Sequence, residues 1–319
     1  MKLKILAVDD EPLFLEILDV ALTGLGYTDV SHAYSAKEAL RELEVSLEKF
    51  DCILLDIRMP GMDGVELCRR IRMMDRYRGV PIMMVTSMSD RSYIDTAFAA
   101  GATDYLGKPL DATELKARMA MMERLVVERL RNQLLEYRVA AASNVVELKF
   151  DLETPVMVEG FDRLIEYLAL ENYLLSLGIK DSYDASAFVI SISNAARIFG
   201  STSPVDFMNL LSDVAICIED ALKAIPGLIS YAGNGNFVVV TSGSHQVDAQ
   251  MIGDMINVGL EEFAGIYQSD SIPTPLVVVG NQVRKSLFSR VRPAQFLESA
   301  IAAIGPRPAP QLPRLIKMS

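Results

Sequence analysis

Five short strand-like runs alternate with helical patterns over residues 1–120, and that alternation leaves this part of the chain few folds to choose from. Lys4–Val8, Asp29–Ala33, Cys52–Asp56, Ile82–Thr86 and Thr103–Leu106 read as strands. Ile53-Leu54-Leu55 and Ile82-Met83-Met84-Val85 are unbroken apolar runs. That is the pattern of strands buried on both faces. Helical patterns lie between them, at Leu13–Leu25, Ala36–Glu48, Val65–Arg72, Arg91–Ala100 and from Ala112 onward. Ser35 and Asp111 are placed as N-caps and Gly101 as a helix stop. Five βα units predict an α/β domain with a doubly wound, five-stranded parallel sheet.

Polar residues collect where these strands run into loops. Val8-Asp9-Asp10-Glu11-Pro12 follows the first strand, and Asp56 closes Leu54-Leu55-Asp56 before Ile57-Arg58-Met59-Pro60-Gly61-Met62-Asp63-Gly64. Thr86-Ser87, Tyr105 and Lys108-Pro109 complete the set. In an open parallel sheet such ends converge on one crevice. Three carboxylates, one hydroxyl and one ammonium there could hold Mg²⁺ and place a phosphoryl group on an aspartate. A metal offsets the negative charge of a carboxylate nucleophile and of the phosphorus centre it attacks. Lys108 can neutralise a phosphoryl oxygen from the other side, and Thr86 can hydrogen-bond another. Gly61 and Gly64 supply a permissive backbone after Asp56.

The 319 residues, half of them apolar, suffice for two domains with cores of their own. The net charge of −11 argues against DNA or another nucleic acid as a partner. Cys52, Cys68 and Cys217 are an odd set without metal-ligand spacing, as expected of reduced thiols. Two histidines, His32 and His245, exclude a His-rich metal site. No apolar run reaches the roughly 18 residues of a membrane span, and Met1-Lys2-Leu3-Lys4-Ile5 lacks the features of a signal peptide. The expectation is a cytoplasmic protein without a membrane partner.

Residues 1–120 resemble the receiver domain of bacterial two-component response regulators. The likeness rests on Val-Asp-Asp-Glu-Pro, Leu-Asp-Ile-Arg-Met-Pro-Gly-Met-Asp-Gly, Val-Thr-Ser and Gly-Ala-Thr-Asp-Tyr-Leu-Gly-Lys-Pro. It implies a flavodoxin-like fold and phosphorylation of Asp56 by a sensor histidine kinase or phosphotransfer protein. It further implies Mg²⁺, or Mn²⁺ in its place, on Asp10, Asp56 and the main-chain carbonyl of Arg58, with Asp9 acting through water. Lys108 would contact the phosphoryl group, and the Lys108–Pro109 bond would be cis. Thr86 and Tyr105 would form the switch that carries the change to the surface of the fourth strand, fourth helix and fifth strand.

A connecting helix over 111–142 carries one apolar stripe: Leu115, Met119, Met122, Val126, Leu130, Leu134 and Tyr137. It is longer than a receiver needs, so the stripe must be covered, either by a second protomer as a coiled coil or by the chain's own second domain. Residues 150–305 read as α+β, with helices at Phe161–Leu177, Pro204–Ile225, Gln246–Phe263 and Pro293–Ile304. Strands fall at Ala187–Ser193, Leu228–Tyr231, Phe237–Thr241 and Leu276–Gly280, the middle two joined as a hairpin through Gly233-Asn234-Gly235-Asn236. Residues 306–319 are a Pro-rich tail, read as an extended or disordered end.

This outline resembles the GGDEF domain of diguanylate cyclases, with an echo of the family's opening motif in Asp151-Leu152-Glu153-Thr154-Pro155-Val156. The family's catalytic residues are absent from it. The signature turn reads Gly233-Asn234-Gly235-Asn236-Phe237, so Gly235 and Asn236 replace the acids. The first strand offers Ser191 and Ser193 in place of a metal-binding acid, and the guanine-reading position falls near Phe199. The product-inhibition positions fall near Ala224 and Gly227, and Phe296–Ile304 has no Lys for the phosphates. Asn234-Gly235 is expected to be a type I′ turn. The whole chain thus reads as a dimeric response regulator, not an enzyme, that signals through a degenerate GGDEF-like domain to a further protein. The alternatives are an active cyclase with altered site residues and a non-catalytic sensor of GTP or cyclic di-GMP.

Overall fold

The computed structural model describes residues 3–87, 91–143, 151–158, 160–242, 246–284 and 292–304. Its first sheet is wholly parallel, in the order β2-β1-β3-β4-β5: β1 Lys4–Val8, β2 Asp29–Ala33, β3 Cys52–Leu55, β4 Ile82–Thr86 and β5 Asp104–Gly107. Side chains alternate across it. Leu6, Val8, Ile53, Leu55, Ile82 and Met84 enter one core, whereas Ile5, Ala7, Cys52, Leu54, Met83 and Val85 enter the other. Both faces are apolar, which accounts for the unbroken runs in β3 and β4. Helices α1 Pro12–Gly24 and α5 Ala112–Ser143 cover one face, and α2 Ala36–Val45, α3 Gly64–Met73 and α4 Arg91–Ala99 the other. Ser35 and Asp111 cap as expected, accepting from the Glu38 and Glu114 amides at 3.2 and 2.8 Å, and Gly101 takes φ +96°. Asp56 lies one residue past β3 rather than inside it.

The second sheet is antiparallel, in the order β10-β6-β8-β7, with β9 also paired to β6. Its strands are β6 Ala185–Ile192, β7 Gly227–Tyr231, β8 Asn236–Ser242, β9 Val277–Val279 and β10 Val283–Arg284. The helices are α6 Tyr167–Ser176, α7 Ile179–Asp184, α8 Ala195–Phe199, α9 Pro204–Ala221, α10 Ala249–Glu261, α11 Ala264–Ser269 and α12 Pro293–Ala302. The helix expected from Phe161 begins only at Tyr167. Residues 163–165 extend instead along β7, with Ile165 N–H donating to the Ile229 carbonyl and Ile229 N–H to that of Arg163, both at 2.8 Å. An edge strand with free backbone groups competes successfully with helix formation there. The expected Pro204–Ile225 and Gln246–Phe263 helices end early, at Ala221 and Glu261, and α7, α8, α11 and β10 have no counterpart in the sequence reading.

The two units share a core. Helix α6 packs on α4 and the β5 edge of the first sheet, so Ile165, Ala169, Leu170 and Tyr173 join one buried cluster with Ile94, Ala97, Phe98 and Tyr105. Tyr173 meets Phe98 edge-on, centroids 5.6 Å apart, and its hydroxyl accepts from Arg91 Nη2 at 2.9 Å. Arg91 Nη1 donates to the Asp181 carbonyl, and the buried Asn172 amide to the Thr103 carbonyl at 2.8 Å. Arg129 of α5 pairs with Glu166 at 2.7 Å.

In α5, Leu115, Met119, Met122 and Val126 are buried against the first sheet, while Val127 and Leu130 are exposed. Leu134 and Tyr137 lie outside the described side chains, as the 306–319 tail lies outside the described residues. Among the described residues, no helix is long and apolar enough to cross a membrane.

Asp104 at the start of β5 is fully buried beside Arg118 at 2.7 Å, yet its Oδ2 has no hydrogen-bond partner among the described residues. Burial pushes its carboxyl up to about 6 against the pull of Arg118. The folded state therefore binds a proton that the unfolded chain, with an ordinary carboxyl, releases at lower pH. Stability should fall as pH rises from about 4 to 6, by no more than about 3 kcal/mol from this group. Urea unfolding across that interval should show a shallower fall in Asp104→Asn; an identical slope would exclude the assignment.

Candidate functional site

The crevice forms at the C-terminal ends of β1, β3, β4 and β5, where the strand order reverses around β1. Asp9 and Asp56 are buried there, Asp10 is half-buried and Arg58 exposed. Lys108 reaches across from the end of β5, with Nζ 2.6 Å from Asp9 Oδ2 and 3.0 Å from Asp56 Oδ1. The Lys108–Pro109 bond is cis, and Lys108 N–H donates to the Thr86 carbonyl at 2.8 Å. Asp9 Oδ1 accepts from the Glu11 amide, which tethers the loop after β1. Thr86 is fully buried at the end of β4 and Tyr105 is buried in β5, in the cluster shared with α6.

Burial raises the Asp56 carboxyl above the ordinary carboxylate range, although Lys108 and the Arg58 amide pull the other way. Burial lowers Lys108, but hydrogen bonds to Asp9 and Asp56, with their charges, outweigh it and hold the ammonium above its usual range. Lys108 is thus a cation shared by two desolvated carboxylates. Phe14, whose ring centre lies 3.8 Å from Nζ, supplies a further stabilising face. The sequence reading passed over Phe14; an aromatic in the first turn after Asp9-Asp10 was the available signal.

Gly64 is fixed by contact rather than by φ. A Cβ there would lie 1.9 Å from the Asp56 carbonyl oxygen, so the start of α3 can pass behind Asp56 only as glycine. Gly61, with φ +83°, makes the turn of the same loop.

Asp9, Asp10, Asp56 and the Arg58 carbonyl are hard oxygen donors that suit Mg²⁺ or Mn²⁺. Among the described residues no three His, Cys, Asp or Glu side chains close into a ready metal cage. Mg²⁺ does not require one, because it keeps several waters and needs only a few carboxylates. The donor set therefore fits, with Lys108 occupying one oxygen each of Asp9 and Asp56.

In the second unit, Gly233, Asn234 and Gly235 all have positive φ, at 83°, 54° and 76°. Asn236 N–H closes the turn on the Gly233 carbonyl at 2.9 Å, which makes Asn234-Gly235 the expected type I′ turn. The turn is held from outside: Asn234 N–H donates to the Leu152 carbonyl, and a Cβ on Gly235 would lie 2.4 Å from that of Ala195. Ser191 Oγ donates to Asn236 Oδ1 at 2.8 Å, so these two side chains satisfy each other. Phe237 is buried against Tyr231, and the half-buried Phe199 meets Phe207 edge-on. Ser193 donates to the Leu276 carbonyl. Among these positions none presents a carboxylate.

Residues 5–120 match the family model of the response regulator receiver domain. The transcriptional regulatory protein CrdR of Helicobacter pylori is 39% identical over 119 residues, which are 37% of this chain and 54% of CrdR. The response regulator PleD of Caulobacter vibrioides is 36% identical over 135 residues, 42% of this chain and 29% of PleD. The chain spans about half the length of CrdR and of other curated relatives it matches. Among solved structures, a response regulator from Chloroflexus aurantiacus is 35% identical with a TM-score of 0.36, covering 40% of this chain and 99% of that one. The receiver domain of the Pseudomonas aeruginosa sensor histidine kinase PA1611, with a magnesium ion in its active-site cleft, is 31% identical with a TM-score of 0.35, covering 40% and 98%.

Proposed function

We propose that this chain is a phosphorelay response regulator whose receiver domain accepts a phosphoryl group on Asp56 from a sensor histidine kinase or phosphotransfer protein. The observation that carries the reading is the buried Asp56 carboxylate at the mouth of the sheet with Lys108 Nζ 3.0 Å away. Asp9, Asp10, Asp56 and the Arg58 carbonyl would hold Mg²⁺, which when bound supplies charge neutralisation at the transferred group. One Asp56 oxygen attacks phosphorus, the bond to the donor nitrogen breaks, and Lys108 turns from a carboxylate partner into a partner of the new phosphoryl oxygens. Thr86, at the end of β4, would take another of those oxygens.

The output is a change in how the second domain sits on the receiver. Only the short segment after Thr86 separates the crevice from Arg91, which holds Tyr173 and Asp181, and Tyr105 shares its core with α6. Movement of Thr86 and Tyr105 would therefore loosen α6 from α4 and β5, and the freed surfaces would serve homodimerisation or binding of a further protein. The second domain is read as a non-catalytic, degenerate GGDEF-like unit. Its support is the turn at 233–236, with Gly235 and Asn236 where acids would be needed and Asn236 already paired with Ser191.

Beryllofluoride with Mg²⁺ mimics the aspartyl phosphate and tests the reading. Hydrogen exchange should rise in α4, β5 and α6 on its addition, and sedimentation velocity should report a more extended or dimeric species. Unchanged exchange in α6 despite bound beryllofluoride would refute this output. Formation of cyclic di-GMP from GTP would instead establish the cyclase reading.

A further inference from the structure

Helix α10 carries more apolar surface than its packing uses. Ile252, Ile256 and Leu260 are buried against α9 and the sheet, as one apolar stripe requires. Beside them Met251, Met255 and Val258 recur at helical spacings of four and three and are 54%, 46% and 64% exposed. Met255 and Val258 border, with Ile216 of α9 and Phe263, a groove of about 1190 Å³ that runs between α9, α10 and residues 160–163, and Met251 lines its continuation along α10. Unbranched methionine side chains adapt to varied apolar partners.

The rim of this groove is acidic. Asp162, Glu219, Asp220, Asp254 and Glu262 line it or its continuation along α10. The two cations of the groove are engaged: Arg163 donates to the Glu219, Leu222 and Ile225 carbonyls at the end of α9, and Lys223 pairs with Asp220. Glu219 Oε1 is buried and has no hydrogen-bond partner among the described residues.

We propose that the α9–α10 groove binds an amphipathic basic helix of a partner protein, its apolar side chains on Met251, Met255, Val258 and Ile216 and its Lys or Arg residues on the acidic rim. Charge complementarity selects this occupant: an acidic helix would face the rim carboxylates, and an uncharged one would make no use of them. The groove belongs to the second domain alone, so its occupation does not depend on the phosphorelay reading.

The test uses the full chain without beryllofluoride and a fluorescein-labelled helical peptide of about 18 residues, leucines on one face and lysines beside them. A glutamate counterpart serves as control. Anisotropy should give a Kd of about 10 μM or tighter for the lysine peptide and at least about tenfold weaker binding for the glutamate peptide. Met255→Asp should weaken the lysine peptide about tenfold, and Glu262→Lys should weaken it while narrowing its advantage over the control. Both positions are exposed, so the variants should fold. Equal binding of the two peptides, no binding, or an unchanged affinity in Met255→Asp would overturn the proposal. Two further results would also overturn it: self-association abolished by Met255→Asp, which assigns the groove to a second copy, or much tighter peptide binding after removal of residues 305–319, which assigns it to the chain's own basic tail.

Discussion

Asp56→Ala is expected to abolish phosphoryl transfer to this chain. With acetyl phosphate and Mg²⁺ the parent protein should gain about one acid-stable, base-labile phosphate per chain, and the variant none. Asp9 cannot substitute, because its Oδ1 is committed to the Glu11 amide and its Oδ2 to Lys108. Lys108→Gln should keep the nucleophile but lower the rate by about two orders of magnitude, the usual cost of removing a charge that stabilises the transferring group. It also leaves two buried carboxylates without their shared cation, so its thermal stability must be measured alongside. Intact-mass spectrometry over time separates the outcomes. Persistent labelling of Asp56→Ala would move the acceptor elsewhere and undo the site assignment.

The second large effect is expected at Tyr173, far from the chemistry. Its ring is buried between the domains, edge-on to Phe98, and its hydroxyl ties Arg91 to α6. Tyr173→Ala should cost about 3–5 kcal/mol, most of it from the shared core. The expected result is uncoupling: two separated unfolding transitions in place of one, and raised hydrogen exchange in α4 and β5. Tyr173→Phe removes only the hydroxyl and should cost about 1 kcal/mol while leaving a single transition. If Tyr173→Ala unfolded in one step at the parent midpoint, the interface would contribute nothing to the docked state.

The receiver was legible because its signals are local and agree with one another. Apolar runs placed β1 and β4 to the residue, the cap at Ser35 bounded β2, and the five loop patches converge as the order of a parallel sheet requires. The glycines of the 233–236 turn were equally readable, since two adjacent positive-φ residues admit few sequences. The second unit was harder where contacts between distant segments decide. Residues 163–165 carry a helical pattern but pair with β7, and α7 and α8 are too short to display a period.

What the amino-acid order determined by itself is thus the parallel sheet, the crevice with Asp9, Asp10, Asp56, Thr86 and Lys108, and the hairpin turn. These follow from spacing, burial on two faces and backbone freedom, all properties of short segments. Tertiary structure alone decided that Lys108 bridges Asp9 and Asp56 over the Phe14 ring, and that α6 packs on α4 and β5 to join the domains. It alone left the second apolar stripe of α10 uncovered. Those outcomes depend on which surfaces meet, and an apolar stripe reads the same in sequence whether it is buried, shared between domains or left open to a partner.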